Sequence, residues 1–213
     1  RIENYMIRIE NICKSFGEKQ VLKNINMEIR EGETLAIIGG SGSGKSTLLR
    51  LLIGLDRPTS GGIYIMGQDI SHMSEAELDK LRMNMGMVFQ YSALFDSMTV
   101  GENVAFGLRE HTDLSEEEIQ AIVARKLEQV GLPGIQSTMP GELSGGMKKR
   151  VGLARAIAFD PKIIFYDEPS SGLDPITTVK IDELMKETQK KQKATSVVVT
   201  HDMVSACNIA DRI

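Results

Sequence analysis

The run Gly39-Gly40-Ser41-Gly42-Ser43-Gly44-Lys45-Ser46-Thr47 has the residue types and spacing of a phosphate-binding loop. Its glycines let the backbone curl so that successive N–H groups point at phosphate oxygens. A helix opening near Lys45 adds its positive end to the same point. Lys45 then reaches the β- and γ-phosphates, and the Ser46 hydroxyl ligates Mg²⁺. The predicted ligand is a nucleoside triphosphate.

Phosphoryl transfer to water also needs a metal-holding carboxylate, a base for the water and charge stabilisation at the γ-phosphate. The apolar run Ile163-Ile164-Phe165-Tyr166 ends in Asp167-Glu168. Asp167 suits the metal and Glu168 suits general base, because a strand's alternation lapses at its end. Gln90 is a neutral group able to touch metal and water together, and His201 can donate to the γ-phosphate. Each alone is an ordinary structural residue; their weight comes from the set. Phe16, expected on a loop with Val21 just after it, can stack on a base.

These residues need strands that end together. Leu35-Ala36-Ile37-Ile38 leads into the glycine loop, and Leu48-Leu49 with Leu51-Leu52-Ile53 follows at helical density. Gly86-Met87-Val88-Phe89 reads as a buried strand delivering Gln90, and Val197-Val198-Val199 delivers His201. Uniformly apolar strands of this kind belong to a parallel sheet covered on both faces. Ile7 and Ile9, then Ile25, Met27 and Ile29, then Ile63 and Ile65 alternate with polar residues, as antiparallel strands do. Residues 1–5, ahead of Met6, receive no role. Lys45 to Asp167 is far more chain than the roughly 30 residues of a βαβ unit, so a lobe is inserted.

That lobe, about residues 95–158, reads as helical. Capping boxes stand at Thr99 to Glu102 and Ser115 to Glu118, with another at Ser74 to Glu77 outside it. Gly131 stops one helix, and a further helix is expected from about Thr177 to Lys191. Ser144-Gly145-Gly146 opens the helix bearing Val151, Ala154 and Ile157, making a second anion site. Two anion sites on different lobes suit two nucleotides sandwiched in a head-to-tail pair of protomers. Lys148-Lys149-Arg150 reads as a solvated helix face.

Taken together these motifs resemble the ATP-binding cassette (ABC) ATPases, the motor subunits of ABC transporters. Gly39 to Thr47 matches the Walker A motif, Gln90 the Q-loop and Leu143 to Met147 the signature. Ile163 to Glu168 matches the Walker B strand, Ser171-Gly172-Leu173-Asp174 the D-loop, His201 the switch histidine and Phe16 the base-stacking aromatic. The resemblance implies an α/β P-loop NTPase: a RecA-like parallel core, an antiparallel β-subdomain and an inserted α-helical subdomain. Residues 1–94 and 159–213 would form the catalytic part. It implies ATP and Mg²⁺, a second ATPase protomer, and an integral membrane permease driven by closure on ATP.

Met147 stands where the signature usually has Gln, and Gly40 where Pro or Ser is more usual. Met139 to Met147, Arg109-Glu110-His111-Thr112 and Asp174-Pro175-Ile176-Thr177 look like the ATPases of Mla/Mce-type lipid transport systems. That likeness implies phospholipid cargo, a lipid-carrying partner protein and a cytoplasmic position on the inner face of the membrane. An importer ATPase for another solute, such as amino acids, is the alternative; a soluble non-transport cassette ranks below it. A small-molecule kinase leaves the signature unexplained. Family members usually run past Ile213, so C-terminal residues are expected beyond it.

A net charge of −4 and a pI near 5.5 give no bulk attraction to nucleic acid, and none is expected as a partner. No apolar run approaches 18 residues, so neither a membrane span nor a signal peptide is expected. Cys13 and Cys207 lack metal-type spacing and read as reduced thiols.

Overall fold

The computed structural model describes residues 4–213. Alternating isoleucines build an antiparallel sheet from β1 (Tyr5–Phe16), β2 (Lys19–Arg30), β4 (Ser60–Ile65) and β5 (Gln68–Asp69), in the order β2-β1-β4-β5. The apolar runs build a second sheet from β3 (Thr34–Ile38), β6 (Met85–Val88), β7 (Ile163–Asp167) and β8 (Thr195–Thr200). Its order is β3-β8-β7-β6 and all its pairings are parallel.

The absence of alternation in β7 and β8 has a direct cause. Ile163, Phe165, Val197 and Val199 pack into a core shared with the antiparallel sheet and the leucines of α1 (Lys45–Leu52). Ile164, Tyr166 and Val198 pack into the opposite core, among the helices. A strand apolar on both faces has no polar phase to show. Fully burying Phe165 contributes about 1.5–3 kcal/mol of transfer free energy.

The helices are α2 (Glu75–Arg82), α3 (Val100–His111), α4 (Glu116–Gln129), α5 (Gly145–Ala156), α6 (Pro175–Gln192) and α7 (Met203–Ile209). Ser74, Thr99 and Ser115 form the three expected capping boxes. Gly131 lies just past α4 at φ 76°. Sheet and helical layer meet where β6 runs under the end of α5. A Cβ on Gly86 would stand 2.4 Å from the Ala156 carbonyl oxygen, so only glycine allows that approach.

Several expectations need correction. Tyr5 pairs with Arg30, so the sheet already includes a residue given no role. Phe16 is no loop residue: it ends β1 opposite Lys19. Strand β6 lies at the sheet edge and is half-buried, and Phe89 falls outside it, 38% exposed. Helix α6 starts two residues early, because Asp174 caps it and Pro175 suits its first position. Near the end of the chain, Arg212 makes a parallel bridge to Leu35, and Asp211 accepts from the Thr34 N–H at 2.8 Å.

Candidate nucleotide site

Because β3, β8, β7 and β6 are parallel, their carboxyl ends share one edge, where ligands of open α/β sheets sit. The loop from Gly39 to Gly44 leaves β3, His201 follows β8, Asp167 and Glu168 end β7, and Gln90 follows β6. A cleft of about 600 Å³ opens there, lined by Val21, Gly40, Ser41, Gly42, Gly44, Lys45, Ser46, Thr47, Gln90, Glu168 and His201. Lys19 also lines it, a cation that carried no motif in the sequence.

Six helices begin at a side chain that accepts a backbone N–H: Ser74, Thr99, Ser115, Ser144, Asp174 and Asp202. Helix α1 does not. Its N-cap is Gly44 at φ 99°, with no side-chain bond and no acidic residue in the first turn. A Cβ at Gly44 would lie 2.9 Å from Leu22 Cδ2, so the position excludes a capping side chain. The orphan N–H groups of α1 and its positive end therefore face the cleft. Left uncapped, this end of α1 can receive an anion.

Lys45 is 9% exposed, and its ammonium donates to the carbonyls of Gly39 at 2.6 Å and Gly40 at 2.9 Å. It also lies 3.9 Å from Glu168 Oε1. The Ser46 hydroxyl stands 3.5 Å from Asp167 Oδ1. Burial raises the Asp167 pKa, as does the neighbouring Glu168 charge, while Ser46, Lys45 and Lys149 oppose the shift.

Glu168 is in the left-handed region at φ 46°, which turns its side chain out of the β7 register. Its N–H donates to the Val199 carbonyl at 2.9 Å, and Oε2 contacts His201 Nδ1 at 2.8 Å. The Gln90 amide donates to the Ser171 hydroxyl at 3.2 Å.

The remaining candidates lie elsewhere. Ser144 and Gly145 are exposed, outside the cleft lining, at the start of α5, and Gly146 is buried beside Thr177. Ser144 accepts from the Met147 N–H at 3.2 Å. Phe16 does not line the cleft; its ring is half exposed, with the Lys14 ammonium 4.9 Å from the centroid. Gly39 and Ser43 belong to the loop without lining the cleft.

The basic run on α5 is not a solvated face. Lys149 is 6% exposed and donates to the Gln90 carbonyl, and Arg150 donates to the Val130 carbonyl at 3.0 Å. A signal was present: Gly152 and Ala156 fall three and seven after Lys149. A small-residue stripe at helical spacing marks a close-packed seam.

Residues 22–171 match the model of the ABC transporter family. Over 206 residues the chain is 46% identical to the intermembrane phospholipid transport system ATP-binding protein MlaF of Haemophilus influenzae, covering 97% of this chain and 78% of that one. It is 45% identical over 207 residues to the probable ribonucleotide transport ATP-binding protein mkl of Mycobacterium leprae, covering 97% of this chain and 60% of mkl. The cassette MJ0796, solved as a dimer in a post-hydrolysis state bound to ADP and Pi, superposes with a TM-score of 0.86 at 38% identity. That match covers 95% of this chain and 91% of the cassette. With a family model over residues 22–171, relatives at 45–46% identity and a P-loop NTPase fold shared with solved cassettes, this chain is an ATP-binding member of the ABC transporter family.

Proposed function

We propose that the chain is the ATP-hydrolysing motor subunit of a membrane transporter, working as a pair of protomers. One observation carries the reading: the uncapped start of α1 opens onto the edge that holds Glu168, His201 and Gln90, while Ser144 and Gly145 stand exposed outside that cleft. Half of a composite site stands on each surface. Joining two copies head to tail brings the Ser144-Gly145-Gly146 turn of one protomer onto the phosphates held by the other.

The chemistry follows from the residues. ATP phosphates sit on the loop from Gly39 to Thr47, and Lys45 exchanges its carbonyl acceptors for phosphate oxygens. Ser46, Asp167 and Gln90 supply hard oxygen donors of the kind Mg²⁺ takes, so the donor set fits that ion. When bound, the ion neutralises phosphate charge. Glu168 accepts the proton of the attacking water, and His201 donates toward the γ-phosphate. Phe16 and Val21 serve the base. Among the described residues no helix is long and apolar enough to cross a membrane, so a permease subunit would supply the bilayer part. Tyr91, 84% exposed just after Gln90, and Phe95, 43% exposed, offer it a docking surface.

Phospholipid is the cargo we favour, supported by the MlaF likeness and the Met147 signature; the ribonucleotide in the mkl name keeps another solute as the second reading. ATP turnover measured against protein concentration tests the motor: it should rise faster than linearly at low concentration, and strict first-order behaviour rejects the shared site. Pull-down from membranes, with mass spectrometry of bound protein and lipid, tests cargo and partners. Recovery of a permease without phospholipid rejects the lipid assignment.

A further inference from the structure

The face of α5 toward the parallel sheet is a narrow seam. A Cβ on Gly152 would stand 3.6 Å from Ser92 Cβ, so the helix nearly touches the segment after Gln90. Into this seam Lys149 extends an ammonium that donates to the Gln90 carbonyl and lies 3.5 Å from the Glu168 carbonyl. The Ser171 N–H donates to that same Glu168 carbonyl at 3.1 Å, and the Ser171 hydroxyl takes the Gln90 side-chain amide. Lys149, Gln90, Ser171 and Glu168 thus close a hydrogen-bonded ring.

An apolar side chain would fill the seam without the cost of desolvating an ammonium. Burial does push the Lys149 pKa down, and Asp167 and Glu168 hold it up. What the ammonium supplies is a fixed pair of main-chain contacts. Glu168 is where the chain turns out of β7 at a left-handed φ: its N–H is still held by the Val199 carbonyl of β8, and its own carbonyl is held by the Ser171 N–H and faces Lys149. Arg155, on the same helix, donates to the carbonyls of Ser92 at 2.5 Å and Ala93 at 2.7 Å, two further residues at positive φ. Helix α5 therefore grips the Gln90–Ala93 segment at both ends.

We infer that Lys149 is a positioning residue: it sets the separation of the Gln90 and Glu168 main chains, tying the water-activating carboxylate to the helix that Ser144 opens. The inference rests on the proposed roles of Gln90 and Glu168 in hydrolysis.

The test is steady-state ATP turnover with Mg²⁺ in the full chain, alongside binding of a fluorescent ATP analogue and thermal unfolding. Lys149→Met keeps the aliphatic stem and removes the ammonium. It should lower kcat by about 10- to 100-fold, since an ångström of misplacement has that effect, with KM and analogue affinity within about threefold. Lys149→Arg, which retains charge and donors, should recover most of the loss. Lys149→Gln carries the same test if the Met variant does not fold. A Met or Gln variant turning over at the wild-type rate overturns the inference. So does a variant whose kcat, affinity and melting temperature fall together without rescue by Arg, which is packing alone. Full turnover by Glu168→Gln would instead sink the hydrolysis reading; an inactive Glu168→Gln beside an unaffected Lys149→Met sinks only the positioning role.

Discussion

Glu168 Oε2 lies 2.8 Å from His201 Nδ1, while its other oxygen faces the Lys45 ammonium at 3.9 Å. One carboxylate, 12% exposed, therefore bridges the ends of β7 and β8 and the phosphate loop. A group held this way is aimed before any substrate arrives, which is where preorganised sites gain most.

Glu168→Gln keeps the size and a contact to His201 but removes the carboxylate proposed as the base. Turnover should fall by about 10²- to 10⁴-fold, the usual range for losing general base catalysis. ATP affinity should persist, and ATP should hold the variant in a dimer. Phosphate release and size-exclusion chromatography check the two halves of this expectation.

If two protomers share each pocket, broken copies should complement. Ser144→Arg and Lys45→Met should each be inactive alone. Mixed, they form dimers in which one pocket combines an intact Lys45 with an intact Ser144. Activity should return on mixing to an appreciable fraction of wild type. A mixture as inactive as its components excludes the head-to-tail arrangement.

Two glycines should resist alanine for different reasons. Gly44→Ala forces a Cβ toward Leu22 at a left-handed position, at a cost of about 1–3 kcal/mol, with weakened nucleotide binding. Gly86→Ala drives β6 from α5 and should destabilise by about 1–3 kcal/mol, as overpacking does. Urea unfolding measures both.

Asp182 on α6 is 3% exposed and accepts from the Ser205 hydroxyl on α7. Burial raises its pKa above 3.8, and the hydrogen bond from Ser205 opposes that. A carboxylate whose folded pKa is raised favours folding when protonated, so its ionisation weakens the fold as pH rises through the folded value. Asp182→Asn should melt higher than wild type at pH 7, with the gap closing as pH falls toward 4. A constant gap over that range would assign the effect to packing.

The phosphate loop, the strand ends and the capping boxes were legible because each is a local device: spacing alone sets its geometry. The burial of Lys149 was not, since it depends on which face of α5 meets the segment after Gln90, a contact made across 59 positions. Phe89 and Phe16 were misplaced for a related reason. Apolar character cannot say whether β6 is central or at an edge, nor where a β-hairpin turns. Gln90, Glu168 and His201 are brought together by the parallel order of the strands, which periodicity does not encode.

Helices α2 and α4 start with reciprocal serine-to-glutamate caps that close their opening turns from within, whereas α3 also donates the Val100 and Gly101 N–H groups to the Thr138 and Gln136 carbonyls; a helix of the first kind is a self-closed segment. Such a segment does not borrow its first turn from a neighbour. Its start therefore stays closed whatever its body packs against, and it joins the fold as a preformed rod.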